Sequence, residues 1–408
     1  MKARSLLLLC VLNSAALVAE PSLEPDRTRR YVVAAGQTVR LELAAAPHDS
    51  FILLEVDQLD TDVLLRVTPE SESETLLADQ PLGFREPERL VLPPGPGYRV
   101  EIKARRRGAV GVRWRLADPD SARWPGDQAW SRATHAFAAD TPESRLEAAD
   151  AFEQAAALYE QAGLERDAAR ALACAGHVAA DLGEGERGLG LLRRAIDRRR
   201  QSGPPHALAE AHHLLANALQ RGRRLDASLS AFERSLEIFR ELGDEPAEAR
   251  ALLNIGFISQ LQGDAAAARS RYEVALAMAR AHDDRSVIAK LLNNLGGLDY
   301  RAGDLGSAVR RLESLLVFQP EDDLRGRSRT LGNLASAQRL LGRYQESLDG
   351  FERALEIQET LGDPRIRAAT LNNLGFTYLK LGETARARAY FERALPLRRR
   401  AEDPRGEA

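Results

Sequence analysis

A pattern of small and bulky residues returns about every 40 positions from the middle of the chain to its end. That spacing rules out most single-core folds. Anchored on Gly256, it places Gly or Ala at Gly176, Ala216, Gly256, Gly296, Ala335 and Gly375. Sixteen residues after each anchor comes a large side chain: Leu192, Phe232, Tyr272, Leu312, Phe351 and Phe391. Two columns of mostly small residues flank the bulky one. Gly188, Ser228, Ala268, Ala308, Ser347 and Ala387 lie four before it, and Ala195, Ser235, Ala275, Leu315, Ala354 and Ala394 three after. On a helix these offsets share one face, so the large side chain enters a gap left by small ones. Gly183, Gly263, Gly303, Gly342 and Gly382 mark a corner between two helices, with Arg223 the exception. A helix pair this small cannot bury its apolar faces alone, so stacked copies must share one continuous core.

The stretches "LLNIGFISQLQGDAAAARSRYEVAL", "LLNNLGGLDYRAGDLGSAVRRLESL" and "TLNNLGFTYLKLGETARARAYFERAL" resemble the tetratricopeptide repeat family in its long form of roughly 40 residues. The resemblance covers about residues 128–402. It implies a mainly α fold, a superhelix of six to seven helix pairs, that recognises protein segments on its concave side. Arg223 and Leu315 depart from the pattern and mark local irregularity. Ala148, Phe152 and Ala155 fit the second-helix columns one period earlier, so the array opens with an irregular first repeat. Its second helix starts with a Thr141 cap, Pro142 and Glu143. Residues 403–408 read as a tail or the start of a truncated repeat, since Asp403-Pro404 follows Asp363-Pro364 by one period.

The amino-terminal third reads differently. Residues 1–19 have Lys2 and Arg4 before an apolar run and small residues at Ala15, Ala16 and Ala19, the layout of a secretory signal peptide cut after Ala19. The run is too short for a membrane span. The expected destination is the periplasm or the medium of a bacterial cell, with no stable membrane insertion after cleavage. Cys174 is then the only cysteine left, which excludes an intramolecular disulfide. Residues 30–118 carry several short β-rich runs split by Gly, Pro and Asp, as a small antiparallel sandwich requires. "AAGQTVRLEL", "DTDVLLRV" and "LPPGPGYRVEIKA" resemble the bacterial pre-peptidase C-terminal type of domain. That resemblance implies a jelly-roll-like accessory module binding glycan or protein, without catalysis. The three arginines at 105–107 fit an exposed hairpin turn, and residues 119–127 a linker.

A formal charge of −3 on 408 residues gives no general pull toward nucleic acid. No HExxH, P-loop, GxSxG or dinucleotide-binding motif is present, and the seven histidines and Cys174 make no convincing zinc set, so neither enzyme chemistry, a metal nor a cofactor is expected. The informative residues lie on the first helix of each repeat. Two before the anchor stand Cys174, Leu214, Asn254, Asn294, Asn333 and Asn373. Four successive asparagines in helix interiors cost helix propensity, and each amide both donates and accepts, which suits gripping an extended backbone. Six before the anchor stand Arg170, Glu210, Arg250, Lys290, Arg329 and Ala369. The cations Arg250, Lys290 and Arg329 beside an amide row favour a protein or peptide partner with acidic residues or a free C terminus. The function expected is a secreted or periplasmic protein–protein interaction scaffold. The alternative is a non-catalytic targeting or regulatory module of a larger peptidase-linked system, with the sandwich as its binding part.

Overall fold

The structure is a computed structural model. It describes the strand segments of the first 116 residues, Asp118, and residues 120–400. The strands are β1 (Leu9–Val11), β2 (Arg29–Val33), β3 (Thr38–Ala44), β4 (Ile52–Gln58), β5 (Val63–Pro69), β6 (Leu76–Ala78), β7 (Glu88–Leu92), β8 (Gly97–Ala104) and β9 (Gly108–Leu116). They pair into two sheets, β1-β2-β9-β4-β7 and β3-β8-β5-β6; β1 runs parallel to β2 and every other pairing is antiparallel. Alternation along the strands buries one side of each sheet: Ile52, Leu54 and Val56 on β4, and Leu41 and Leu43 on β3, are 1% exposed or less. Arginines 105–107, expected at a hairpin turn, lie outside the described residues; β8 and β9, the described strands before and after them, belong to different sheets. Most of residues 1–19 also lies outside the description; Leu9–Val11 forms β1.

Fourteen helices follow among the described residues: α1 (Trp124–Ala139), α2 (Pro142–Gln161), α3 (Glu165–Asp181), α4 (Gly185–Ser202), α5 (Pro205–Arg221), α6 (Leu225–Glu241), α7 (Glu245–Leu261), α8 (Ala265–Ala281), α9 (Arg285–Ala302), α10 (Leu305–Phe318), α11 (Leu324–Leu340), α12 (Tyr344–Leu361), α13 (Pro364–Lys380) and α14 (Thr384–Arg400). Helix α1 opens at Trp124, inside the stretch expected to be a linker. Two compact units divide the chain, residues 1–238 and 239–408.

In the first unit, Trp130 packs edge-on to Phe152 at 5.0 Å, with the Arg170 guanidinium 4.4 Å above its ring. The Tyr159 hydroxyl donates to Asp127 at 2.7 Å, tying α1 to α2. Thr141 and Ser144 form a reciprocal cap at the start of α2: each hydroxyl accepts from the other's backbone N–H, at 3.1 and 3.0 Å. Gly176 on α3 faces Leu192 on α4, where a Cβ would lie 2.8 Å from Cγ.

The second unit repeats that contact. A Cβ on Gly256 would meet the Tyr272 ring at 2.7 Å, and one on Gly375 the Phe391 ring at 2.5 Å. The anchor column is therefore small because the bulky column sixteen residues on occupies the space of a side chain. Tyr272 and Phe351, like Phe232 in the first unit, are fully buried.

The corners obey backbone geometry rather than residue type. Gly263, Gly303 and Gly342 adopt positive φ, and so does Arg223, at +57°. A non-glycine residue held there costs about 1–2 kcal/mol. Arg223→Gly is expected to stabilise the first unit by about 1 kcal/mol, read as a higher urea midpoint; an unchanged or lower midpoint would show that the Arg223 side chain offsets its strain.

A second set of left-handed corners lies between the repeats, at Gly163, Gly243, Asp283 and Gly362. Aspartate follows several of the corners and caps the next helix. Asp244, Asp264, Asp284 and Asp304 each accept from the backbone N–H three residues on, at 2.9–3.2 Å. Each such cap contributes about 1 kcal/mol. The 39-residue step falls where α10 stops early at Phe318; Asp323 then caps α11 through Gly326 N.

One buried charge ties three helices of this unit together. Asp299 on α9 is 1% exposed and accepts from Arg269 of α8 at 2.5 Å and from Arg311 of α10 at 2.7 Å. Arg311 also reaches Glu273 at 3.3 Å.

Candidate binding groove

The repeat places α7, α9, α11 and α13 as first helices of successive pairs, each packed antiparallel to its partner, so all four run in one direction. Their anchors face inward, and the residues two before each anchor emerge together on the other side. Asn254, Asn294 and Asn373 are half-buried there, and Asn333 is exposed. None is sealed between packed helices. Cys174 and Leu214, the equivalents in the first unit, are buried. The open amide row is thus a property of the second unit.

A cavity of about 470 Å³ opens on this face. Phe257 and Gln260 of α7 line one side. Asn293, Asn294, Tyr300 and Arg301 of α9 form its floor, and Asn333 and Ser336 of α11 close the other side. The structure therefore brings Asn294 and Asn333 into one pocket, while Asn254 and Asn373 continue the row outside its lining. The amides in the pocket retain hydrogen-bonding capacity. Asn333 makes no side-chain hydrogen bond among the described residues, and Asn293 reaches Asn294 Oδ1 only at 3.5 Å. The hydroxyl of Tyr272 lies beneath; Asn294 approaches it, but the geometry falls short of a hydrogen bond. Burial pushes this phenol up to about 12, with the Asn294 amide and the Arg301 charge opposing. It stays protonated through the physiological range.

Of the basic column, Lys290 and Arg329 are exposed and carry no ion pair among the described residues. Arg250 is half-buried at the start of the row, whereas Arg170 and Glu210 in the first unit are buried. Arg301, Tyr300 and Ser336 were not singled out from sequence. They stand one, four or five residues after the anchor, one or two turns along from the asparagines on the same helix face, and helical spacing alone points to them. The described residues hold no cluster of three or more His, Cys, Asp or Glu side chains placed to bind a metal, and none of their helices is long and apolar enough to cross a membrane.

The tetratricopeptide repeat model matches residues 167–241, 208–281, 247–316 and 326–400, together more than half of the chain. The chain belongs to the tetratricopeptide repeat family. The one gap between matched segments, after residue 316, coincides with the short α10 and the 39-residue step. The match does not include residues 30–118. No curated protein sequence matches the chain. Among solved structures, this tetratricopeptide repeat protein is similar to aspartyl phosphate phosphatase F from Bacillus subtilis, at 14% identity and a TM-score of 0.50 over 68% of this chain and 71% of that one. It is also similar to a signal transduction ATPase with a tetratricopeptide repeat sensor from Pyrococcus horikoshii. The identity there is 16% and the TM-score 0.55, over 68% of this chain and 45% of that one. At such identities the likeness is one of fold.

Proposed function

We propose that this protein is an interaction scaffold that holds an extended segment of another protein along the first helices of its second unit. The observation that carries the reading is the open row of four asparagines with a cavity at its centre. Amides in helix interiors lower helix propensity, and their return at each repeat of the second unit is explained by a ligand backbone that needs donors and acceptors. Lys290, Arg329 and Arg250 beside the row favour acidic groups or a free C terminus on that segment. No step of catalysis is assigned to the chain.

The two N-terminal sheets are read as the faces of a small sandwich. Support comes from the buried residues on both, with Val100 and Ile102 on one and Val112 and Leu92 on the other. Its pre-peptidase C-terminal type resemblance and the signal-like residues 1–19 support a periplasmic or extracellular setting in this reading.

The test is selection of binding peptides from a displayed random library against the full chain. Their affinities for wild type and for the variant with Asn254, Asn294, Asn333 and Asn373 all changed to alanine are then compared. Each lost hydrogen bond contributes about 0.5–1.5 kcal/mol, so binding is expected to weaken by at least about tenfold while helicity is unchanged. Equal affinity with intact helicity would remove the amide grip.

A further inference from the structure

We propose that the segment held in this groove is a run of consecutive acidic side chains, internal to its own chain and extended across α9, α11 and α13. The inference rests on the groove reading above and adds the chemistry of the occupant. These three helices carry three, four and three basic residues respectively, against a single acid, Asp299, in a chain whose net charge is −3. Asp299 cannot answer them, because it is buried and neutralised by Arg269 and Arg311 from α8 and α10.

Six of the cations have no ion pair among the described residues, and along their helices they lie before and after the amide row. Lys290, Arg325 and Arg329 stand toward the helix N-termini. Arg301, Arg339 and Lys380, one per helix, stand toward the C-termini. Lys290 and Arg301 are eleven residues apart, three turns on one face, so the two edges are about 16 Å apart.

An extended strand seated on the asparagines sends successive side chains to opposite edges. If one edge were basic, every second residue would be acidic. With both edges basic, every residue is. Three helices about 10 Å apart correspond to roughly six residues of strand. One terminal carboxylate could not engage cations distributed over such an area, so a free C terminus is not required. A nucleic acid strand is disfavoured by the net charge of −3 on the whole chain, which repels a long polyanion.

The experiment measures fluorescence anisotropy of the full chain with capped eight-residue peptides: all acidic, acidic at alternate positions only, and uncharged. Oligodeoxythymidine of matched length is included. The all-acidic peptide is expected to bind at least about tenfold tighter than the alternating one. Neutralising either edge, as Lys290→Gln, Arg325→Gln and Arg329→Gln or as Arg301→Gln, Arg339→Gln and Lys380→Gln, is expected to weaken it by about tenfold, as three exposed pairs imply. Because Arg339 is partly buried, the pair Arg301→Gln and Lys380→Gln serves as a second variant should the triple lose helicity. Equal binding of the alternating peptide, sensitivity to one edge only, or tighter binding of the oligonucleotide would each overturn the proposal. Library-selected peptides that lack acids yet lose binding in the asparagine variant would also overturn it, while leaving the groove reading standing.

Discussion

Asp299→Ala is expected to cost about 3 kcal/mol, the low end of what breaking a buried ion pair costs. The reason is positional. The carboxylate is 1% exposed and holds two guanidinium groups from different helices, at 2.5 and 2.7 Å. Arg269 and Arg311 are 34% and 23% exposed, so once released they turn partly toward water, which keeps the loss from being larger. Unfolding is not reliably two-state in a repeat array. The loss is therefore best read from amide hydrogen exchange in α8, α9 and α10, where protection should fall together. Asp299→Leu combined with Arg269→Met and Arg311→Met should recover most of it, because replacing a whole buried charge cluster by apolar side chains is often neutral. If Asp299→Ala leaves exchange unchanged, the cluster is only decoration on helices held by their apolar columns.

The anchor column gives a prediction in which the sign changes between two neighbouring repeats. Gly256→Ala puts a methyl group 2.7 Å from the Tyr272 ring, which is buried and cannot move aside. Overpacking of this kind costs about 1–3 kcal/mol, more than the roughly 1 kcal/mol that alanine gains over glycine in a helix. Gly296→Ala meets Leu312 only at 3.4 Å, an ordinary contact at a side chain that can adjust. There the helix gain should prevail, and the variant should be neutral or more stable by up to about 1 kcal/mol. Urea midpoints of the two single variants, with Tyr272→Leu as a rescue of Gly256→Ala, measure the contrast. Equal effects at both positions would mean that the bulky column does not set the approach of the helices.

Much of the repeat was legible because its physical demands fall on residue types that are easy to see. Close approach needs Gly or Ala, and the space it leaves is filled sixteen residues later. The corner glycines announce left-handed backbone, and Arg223 shows that the geometry persists where the residue does not. The second set of corners escaped notice because Asp283 replaces glycine there, and Gly203 lies in a corner that stays extended before Pro204. Sequence adjacency of β8 and β9 does not reveal that they belong to different sheets; only pairing does.

In the groove, the asparagine row and its restriction to the later repeats were both visible as a column, but the pocket at its centre was not. Cys174 and Leu214 occupy the same column and are buried. Arg301, Arg339 and Lys380 were missed because they fall in two different columns, and an edge of charge assembled from both becomes apparent only when three helices lie side by side.

The central claim is that a polypeptide segment lies on the amide row of the second unit. A crystal structure of the full chain with a library-selected peptide bound tests it directly. The account predicts peptide backbone within hydrogen-bonding distance of the Asn294 and Asn333 side chains, crossing α9 and α11. A peptide seated on the opposite helices, α8, α10 and α12, or against the N-terminal sheets, would contradict it.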